Sequence, residues 1–189
     1  LGEDTSNPPE ELVPQLEADA YYRWLPILTV PMHFAVLIAV AWFAGTHDVS
    51  WPALLALALT AGLYSGIGVN TAHELGHKKT DLERWMARIV SAVPAYGHFC
   101  VEHNRGHHRH VATPADPASS RMGENIYKFA CREIPGAFRR GWNAEKERLA
   151  RQGKSAWHHE NEILQSYALT AVLQVSLVVA FGWVMLPFL

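Results

Sequence analysis

The sequence predicts an all-α fold, an integral-membrane helical bundle, on two observations: long stretches contain no Asp, Glu, Lys or Arg, and nearly all the basic residues lie in one block between them. A third observation, 11 histidines in 189 residues, gives that block a chemical character, because neutral imidazole is the commonest metal ligand among side chains. Hydrophobic residues make up 49% and charged ones 18%, which excludes a disordered or collagenous chain. A net charge of -2 and a pI near 6.6 give no pull toward nucleic acid, and none is expected as a partner. Cys100 and Cys131 are far apart and outside any CxxC spacing, which excludes a disulfide scaffold and a thiolate metal cluster. The mean hydropathy of -0.02 averages two unlike kinds of segment.

The first charge-free run is Leu25 to Thr46, the second Val49 to His73, and the third Ile163 to Leu189. Each reaches the roughly 20 residues that a helix needs to cross the hydrocarbon core, giving spans near 25–46, 50–72 and 163–189. Trp24, Trp42, Trp51 and Trp183 stand near their ends, where an aromatic belt belongs. Pro26 and Pro31 inside the first run are tolerable in a membrane helix, whose neighbours satisfy the freed carbonyls. A soluble bundle with buried central helices is the alternative, and it explains the prolines and the aromatic belt less well.

Fifteen of the sixteen Lys and Arg residues fall between Lys78 and Lys154. The positive-inside rule therefore places region 73–162 in the cytoplasm, and the loop at His47 and Asp48 outside. Within that region Leu82, Trp85, Met86, Ile89, Val90 and Val93 recur at helical spacing with Arg84 and Arg88 off that stripe, predicting an amphipathic helix that runs to about Pro94. Ala112 to Ser120 reads as a loop. Glu124 to Gln152 reads as a basic amphipathic segment broken at Pro135 and Gly136, suited to the membrane surface. Residues 1–19 are acidic and contain proline, unlike a cleavable signal peptide. A start at Leu1 and a finish inside an apolar run suggest a segment of a longer chain.

Two histidine boxes flank the amphipathic helix. His73 and His77 in NTAHELGHK are one helical turn apart, so both imidazoles leave the same face. The same letters form HExxH, which in zinc peptidases makes the glutamate, here Glu74, a general base. The second box, EHNRGHH, repeats that spacing at His103 and His107, while on an α-helix His108 is turned about 100° away from His107. Such a fan of imidazoles fits two neighbouring metals better than one. An all-imidazole set suits Fe, Zn, Cu or Ni, and does not suit Mg or Ca. Five histidines near one membrane face are costly unless paired or coordinated. Glu74 and Glu102 could each orient an imidazole, or be plain helix-surface carboxylates. His33 reads as a hydrogen-bonded core residue or a channel lining, His98 and His110 as neighbours of the second box, and His158 and His159 as interfacial.

The stretches NTAHELGHK, Asn70 to Lys78, and EHNRGHHRHVATPADPASSRMGENIYKF, Glu102 to Phe129, resemble the integral-membrane alkane monooxygenases, the di-iron alkane hydroxylase family. The opening GEDTSNPPE, Gly2 to Glu10, is also similar, and the resemblance covers essentially the whole chain. It implies that residues 1–189 are part of a membrane di-iron hydroxylase domain in the bacterial inner membrane, with the metal site on the cytoplasmic side. Two non-haem Fe ions, held by His73, His77, His103, His107 and His108, would hydroxylate the terminal carbon of medium-chain n-alkanes with O₂. Electrons would come from rubredoxin and the alkane from the bilayer. The family's third box, of LQRHSxHH type, and its upstream NYxEH histidine are absent, so further ligands are expected outside these residues. Arg132, Arg139, Arg140, Lys146, Arg148 and Arg151 would then face the electron donor, beyond their topological role. The alternatives are a related histidine-box fatty-acyl desaturase or hydrocarbon hydroxylase, an HExxH intramembrane zinc peptidase, and a non-catalytic metal-binding or transport protein.

Overall fold

A computed structural model describes residues 8–188 of the chain. Residues 2–7 of the opening segment and the final Leu189 lie outside the described residues. A 3₁₀ turn, Glu10–Leu12, and a short helix α1, Val13–Glu17, lead into three long apolar helices and their polar connections. These are α2, Ala20–Thr46, α3, Trp51–Gly76, and α8, Glu162–Phe181, and each is long and apolar enough to cross a membrane. Between α3 and α8 lie α4, Asp81–Ser91, α5, Phe99–Glu102, a π-helical turn, His103–His107, the short α6, His108–His110, and α7, Ile126–Ala150. Among the described residues there are no strands.

Local chemistry sets the helix ends. Asp19 caps α2 by accepting from the backbone N–H of Tyr21 at 2.8 Å, and Pro52 sits in the first turn of α3, where its missing N–H costs nothing. Asn161, fully buried, accepts from the N–H groups of Ile163 and Leu164 to start α8. Gly182 ends α8 with φ 81°, a left-handed value that glycine adopts without a Cβ penalty. The third apolar run therefore does not continue as one helix to Leu189, as the absence of charge suggested. The chain turns at Gly182 into a 3₁₀ segment, Trp183–Phe188, and tucks Met185 into a cluster with Leu37, Ala41, Ala44 and Leu177.

A second cluster joins Ile27 and Val30 of α2, Ala72 and Leu75 of α3, and Ala87 and Val90 of α4. Outside these clusters the spans turn apolar side chains outward. Trp51, Leu55, Leu59, Leu63 and Ile67 form a four-residue-spaced stripe on α3, each between 48% and 79% exposed. A soluble bundle would bury that stripe; lipid tails accept it. The start of α2, the end of α3, α4 and the start of α8 share one polar end, tied by Arg23 to Glu83 at 2.6 Å and Arg88 to Glu162 at 3.1 Å.

One helix follows the sequence expectation and another departs from it. In α4 the apolar stripe divides: Leu82 and Trp85 are 40% and 42% exposed, while Val90 is buried with Met86 and Ile89 packed beside it, and Glu83 and Ala87 are buried as well. The carboxylate of Glu83 turns inward because Arg23 meets it there, and small Ala87 allows close packing. In α7 neither Pro135 nor Gly136 breaks the helix, which runs unbroken through both. Gly136 instead makes room for the preceding loop, since a Cβ there would lie 2.7 Å from Cβ of Pro117.

Candidate metal centre

His73 leaves the last turn of α3 and His77 caps its C-terminal end. As their four-residue spacing implied, the two imidazoles meet, Nε2 to Nε2, at 3.1 Å. The second box behaves differently from an α-helix. The backbone N–H of His108 donates to the carbonyl of His103, a five-residue step that closes a π-turn. Turns of this kind recur at functional sites. The extra residue brings His103 and His108 together, Nε2 to Nε2 at 3.0 Å. The expected pairing of His103 with His107, with His108 swung away, is thereby corrected. Asn104 ties the turn to α3 by donating from Nδ2 to the carbonyl of Gly76 at 2.8 Å.

The two pairs form one centre. Ring centroids lie 4.5 Å apart for His73 and His103 and 4.9 Å for His77 and His108. One nitrogen from each of these four histidines lies within 4.8 Å of all the others. His107 is not among them. Its ring stacks on His103 at 5.3 Å, and its Nδ1 lies 2.9 Å from Oδ2 of Asp116, which leaves Nε2 as its free donor atom.

The sequence reading missed Asp116. This carboxylate is buried and accepts from Ser119 Oγ at 2.5 Å, Arg140 Nη2 at 2.7 Å and the N–H of Ala118 at 3.1 Å. Burial alone would raise its pKa; the bonds from Ser119, Arg140, Ala118 and His107 outweigh that and hold it at about 2. It is therefore an anion that fixes the His107 tautomer with Nδ1 protonated. One signal was present: Asp116 is the only carboxylate between Glu102 and Glu124, and a ligand imidazole usually donates its other N–H to such a group.

Glu102 does not orient an imidazole. It is buried and pairs with Arg140, which donates from Nε at 2.8 Å and also from Nη2. Gly106 is required for that approach, because a Cβ there would stand 2.5 Å from Nε of Arg140. Glu74 is exposed, pairs with Lys78 at 2.7 Å and hydrogen-bonds none of the five histidines, so it does not orient an imidazole. Further out, Glu145, fully buried, accepts from Arg105 at 2.5 Å and from Arg148 at 2.6 Å, while Arg105 also reaches Glu162 at 2.7 Å. This network locks the π-turn to α7 and α8.

The remaining histidines lie apart. His98 is buried, with Nδ1 2.9 Å from the Tyr167 hydroxyl, and burial pushes its pKa down to about 4. His33 is buried in α2 beside Tyr64, and Nδ1 of His110 lies 3.1 Å from the carbonyl of Gly106. His158 and His159 group with Glu160, which Lys154 engages at 2.5 Å.

The donor set fits a metal. Two nitrogens bound to one ion at about 2.1 Å and at right angles stand about 3 Å apart, the separation found in both pairs. Metal binding also requires neutral imidazoles. Burial first, and then the neighbouring imidazoles, hold His103 at about 4 and shift His77 downward, so both carry free lone pairs at neutral pH.

Residues 49–189 match the fatty acid desaturase family. The chain belongs to that family. Its curated relatives include the alkane 1-monooxygenases of Pseudomonas putida, 60% identical, and Ectopseudomonas oleovorans, 59% identical, each over 189 residues. Alkane 1-monooxygenase 1 of Alcanivorax borkumensis is 58% identical over the same length. Each alignment covers 100% of this chain and 47% of the relative, so the chain spans about half the length of the curated relatives it matches.

Proposed function

We propose that this chain is part of a membrane-bound, non-haem di-iron monooxygenase that hydroxylates the terminal carbon of medium-chain n-alkanes. The observation that carries the proposal is the convergence of four imidazole nitrogens at the polar end of three membrane-length helices. Identity near 60% to proteins named alkane 1-monooxygenase supports the substrate class. The five ligands assigned here are His73, His77, His103, His107 and His108, with the Nε2 of His107 presented by Asp116. Two iron ions would supply the O₂ activation that side chains cannot. Burial and neighbouring imidazoles keep His77 and His103 neutral, Asp116 fixes His107 in orientation, and the spans receive an alkane already dissolved in lipid.

Hydroxylation consumes O₂, two electrons and two protons, and it yields the alcohol and water. We assign the electrons to rubredoxin, docking on the basic face of α7 that includes Arg139. The polar end faces the cytoplasm of a bacterial inner membrane, following the basic residues. Family membership favours one second reading, fatty-acyl desaturation, which uses the same oxidant and electrons but returns an alkene.

The test is iron per chain and product identity for the full-length protein purified in detergent. Close to two irons and a terminal alcohol are expected; one zinc with little iron refutes the assignment, and an alkene moves it to the desaturases. His107→Ala and His108→Ala, made separately, should each abolish oxidation.

A further inference from the structure

Beside the histidine centre, a pocket of about 200 Å³ opens between the end of α3, α4 and the start of α8. Its wall carries Lys78, Lys79, Arg84, Arg88 and Arg105, with Glu162 as its single carboxylate. Lys78 is paired with Glu74, Arg88 with Glu162, and Arg105 with Glu145 and Glu162. Lys79 and Arg84 have no carboxylate within ion-pair distance among the described residues, so two of the five cations on the wall are left without a counter-charge. We infer that this pocket binds the phosphate-bearing headgroup of an anionic membrane phospholipid.

Its position selects a lipid over a soluble anion. The pocket lies where α3 ends at Gly76 and α8 begins at Glu162, the depth at which headgroups meet a membrane protein. Basic pockets between membrane helices are recurrent sites for such headgroups. The α4 helix that forms one wall exposes Leu82 and Trp85, and the Arg88 guanidinium lies 4.8 Å over the Trp85 ring. An apolar outer face next to a cationic inner one matches a lipid, whose acyl chain and phosphate are joined. The pocket shares His77 with the histidine centre, and the charge argument rests on its lysine and arginine side chains.

The test uses the full-length protein, stripped of lipid in detergent and returned to bilayers of phosphatidylcholine with or without phosphatidylglycerol or cardiolipin. Bound lipid is counted by mass spectrometry of the intact protein. Anionic lipid should be retained in preference to zwitterionic, and Lys79→Gln and Arg84→Gln should each weaken retention about fivefold, the equivalent of about 1 kcal/mol per charge near the surface. Arg109→Gln, an exposed cation outside this pocket, should change little, and Lys79→Arg should restore retention. Equal retention of both lipid classes overturns the inference, as does a loss from Arg109→Gln as large as that from Arg84→Gln. Binding of inorganic phosphate without any lipid preference would assign the pocket to a free anion and overturn the lipid assignment.

Discussion

Replacing Asp116 with alanine is the sharpest probe of the centre, because it leaves all five histidines in place. It removes the acceptor from His107 Nδ1 and three further bonds, from Ser119, Arg140 and the N–H of Ala118. Arg140 keeps Glu102 as a partner, so no cation is stranded. Hydrogen bonds to a charged group contribute about 1.5–3 kcal/mol each, and the losses overlap because one loop makes most of them. The loss of an orienting partner costs about 10–100-fold in metal affinity, equivalent to about 1.4–2.8 kcal/mol. The assay is iron titration of the full-length protein against a competing chelator, with a thermal melt of the metal-free form recorded alongside. Asp116→Ala should lower both affinity and melting temperature, while Ser119→Ala, which removes one supporting bond, should lower affinity by less. A folded Asp116→Ala protein with unchanged iron affinity would falsify the orienting role of Asp116 and the assignment of His107 as a ligand.

Other outcomes follow from the surrounding scaffold. Glu145→Gln should destabilise the bundle by about 3–5 kcal/mol, because it strands Arg148 and half-strands Arg105, measured by thermal melting at neutral pH. Although burial opposes ionisation, Arg148, the Glu162 N–H and Arg105 hold the Glu145 pKa below its ordinary value. Its contribution is therefore full above that ordinary value, about 4.5, and is lost as pH falls through the lower folded value; the Gln variant should show a flatter acid limb. Gly97→Ala should cost about 1–3 kcal/mol by overpacking, since its Cβ would lie 2.7 Å from Cβ of Ser166, and a smaller melting shift would contradict that contact. Leu82→Ser and Trp85→Ser should leave the detergent-solubilised fold within about 1 kcal/mol, as exposed positions do, whereas Val90→Ser should unfold it more readily.

The three spans were legible because charge is excluded from hydrocarbon, a rule that needs no tertiary information. That His73 and His77 meet was legible from their spacing, and the structure adds His103 and His108 to them. Which imidazole pairs with which was not legible, because no residue in HNRGH marks a π-turn, and the choice rests on Asn104 holding Gly76 and on Arg105 reaching Glu145 and Glu162. In α4 apolar periodicity marks whatever excludes water, lipid as much as protein near a membrane, so the same stripe holds exposed Leu82 and Trp85 and buried Val90. Gly182 was overlooked inside an uncharged run, where hydropathy registers nothing but φ does.

The carboxylate network around Glu145 and Glu162 has a consequence for handling the protein. Fully buried Glu145, with Arg105 and Arg148 folded over it, is shielded from mobile ions, whereas Lys79, Arg84 and Arg139 stand in solvent within reach of them. Raising ionic strength to about 1 M shortens the Debye length to about 3 Å and silences the second group while sparing the first. A salt series thus becomes a sorting tool: properties that fade along it belong to the protein's encounters, and those that persist belong to its architecture.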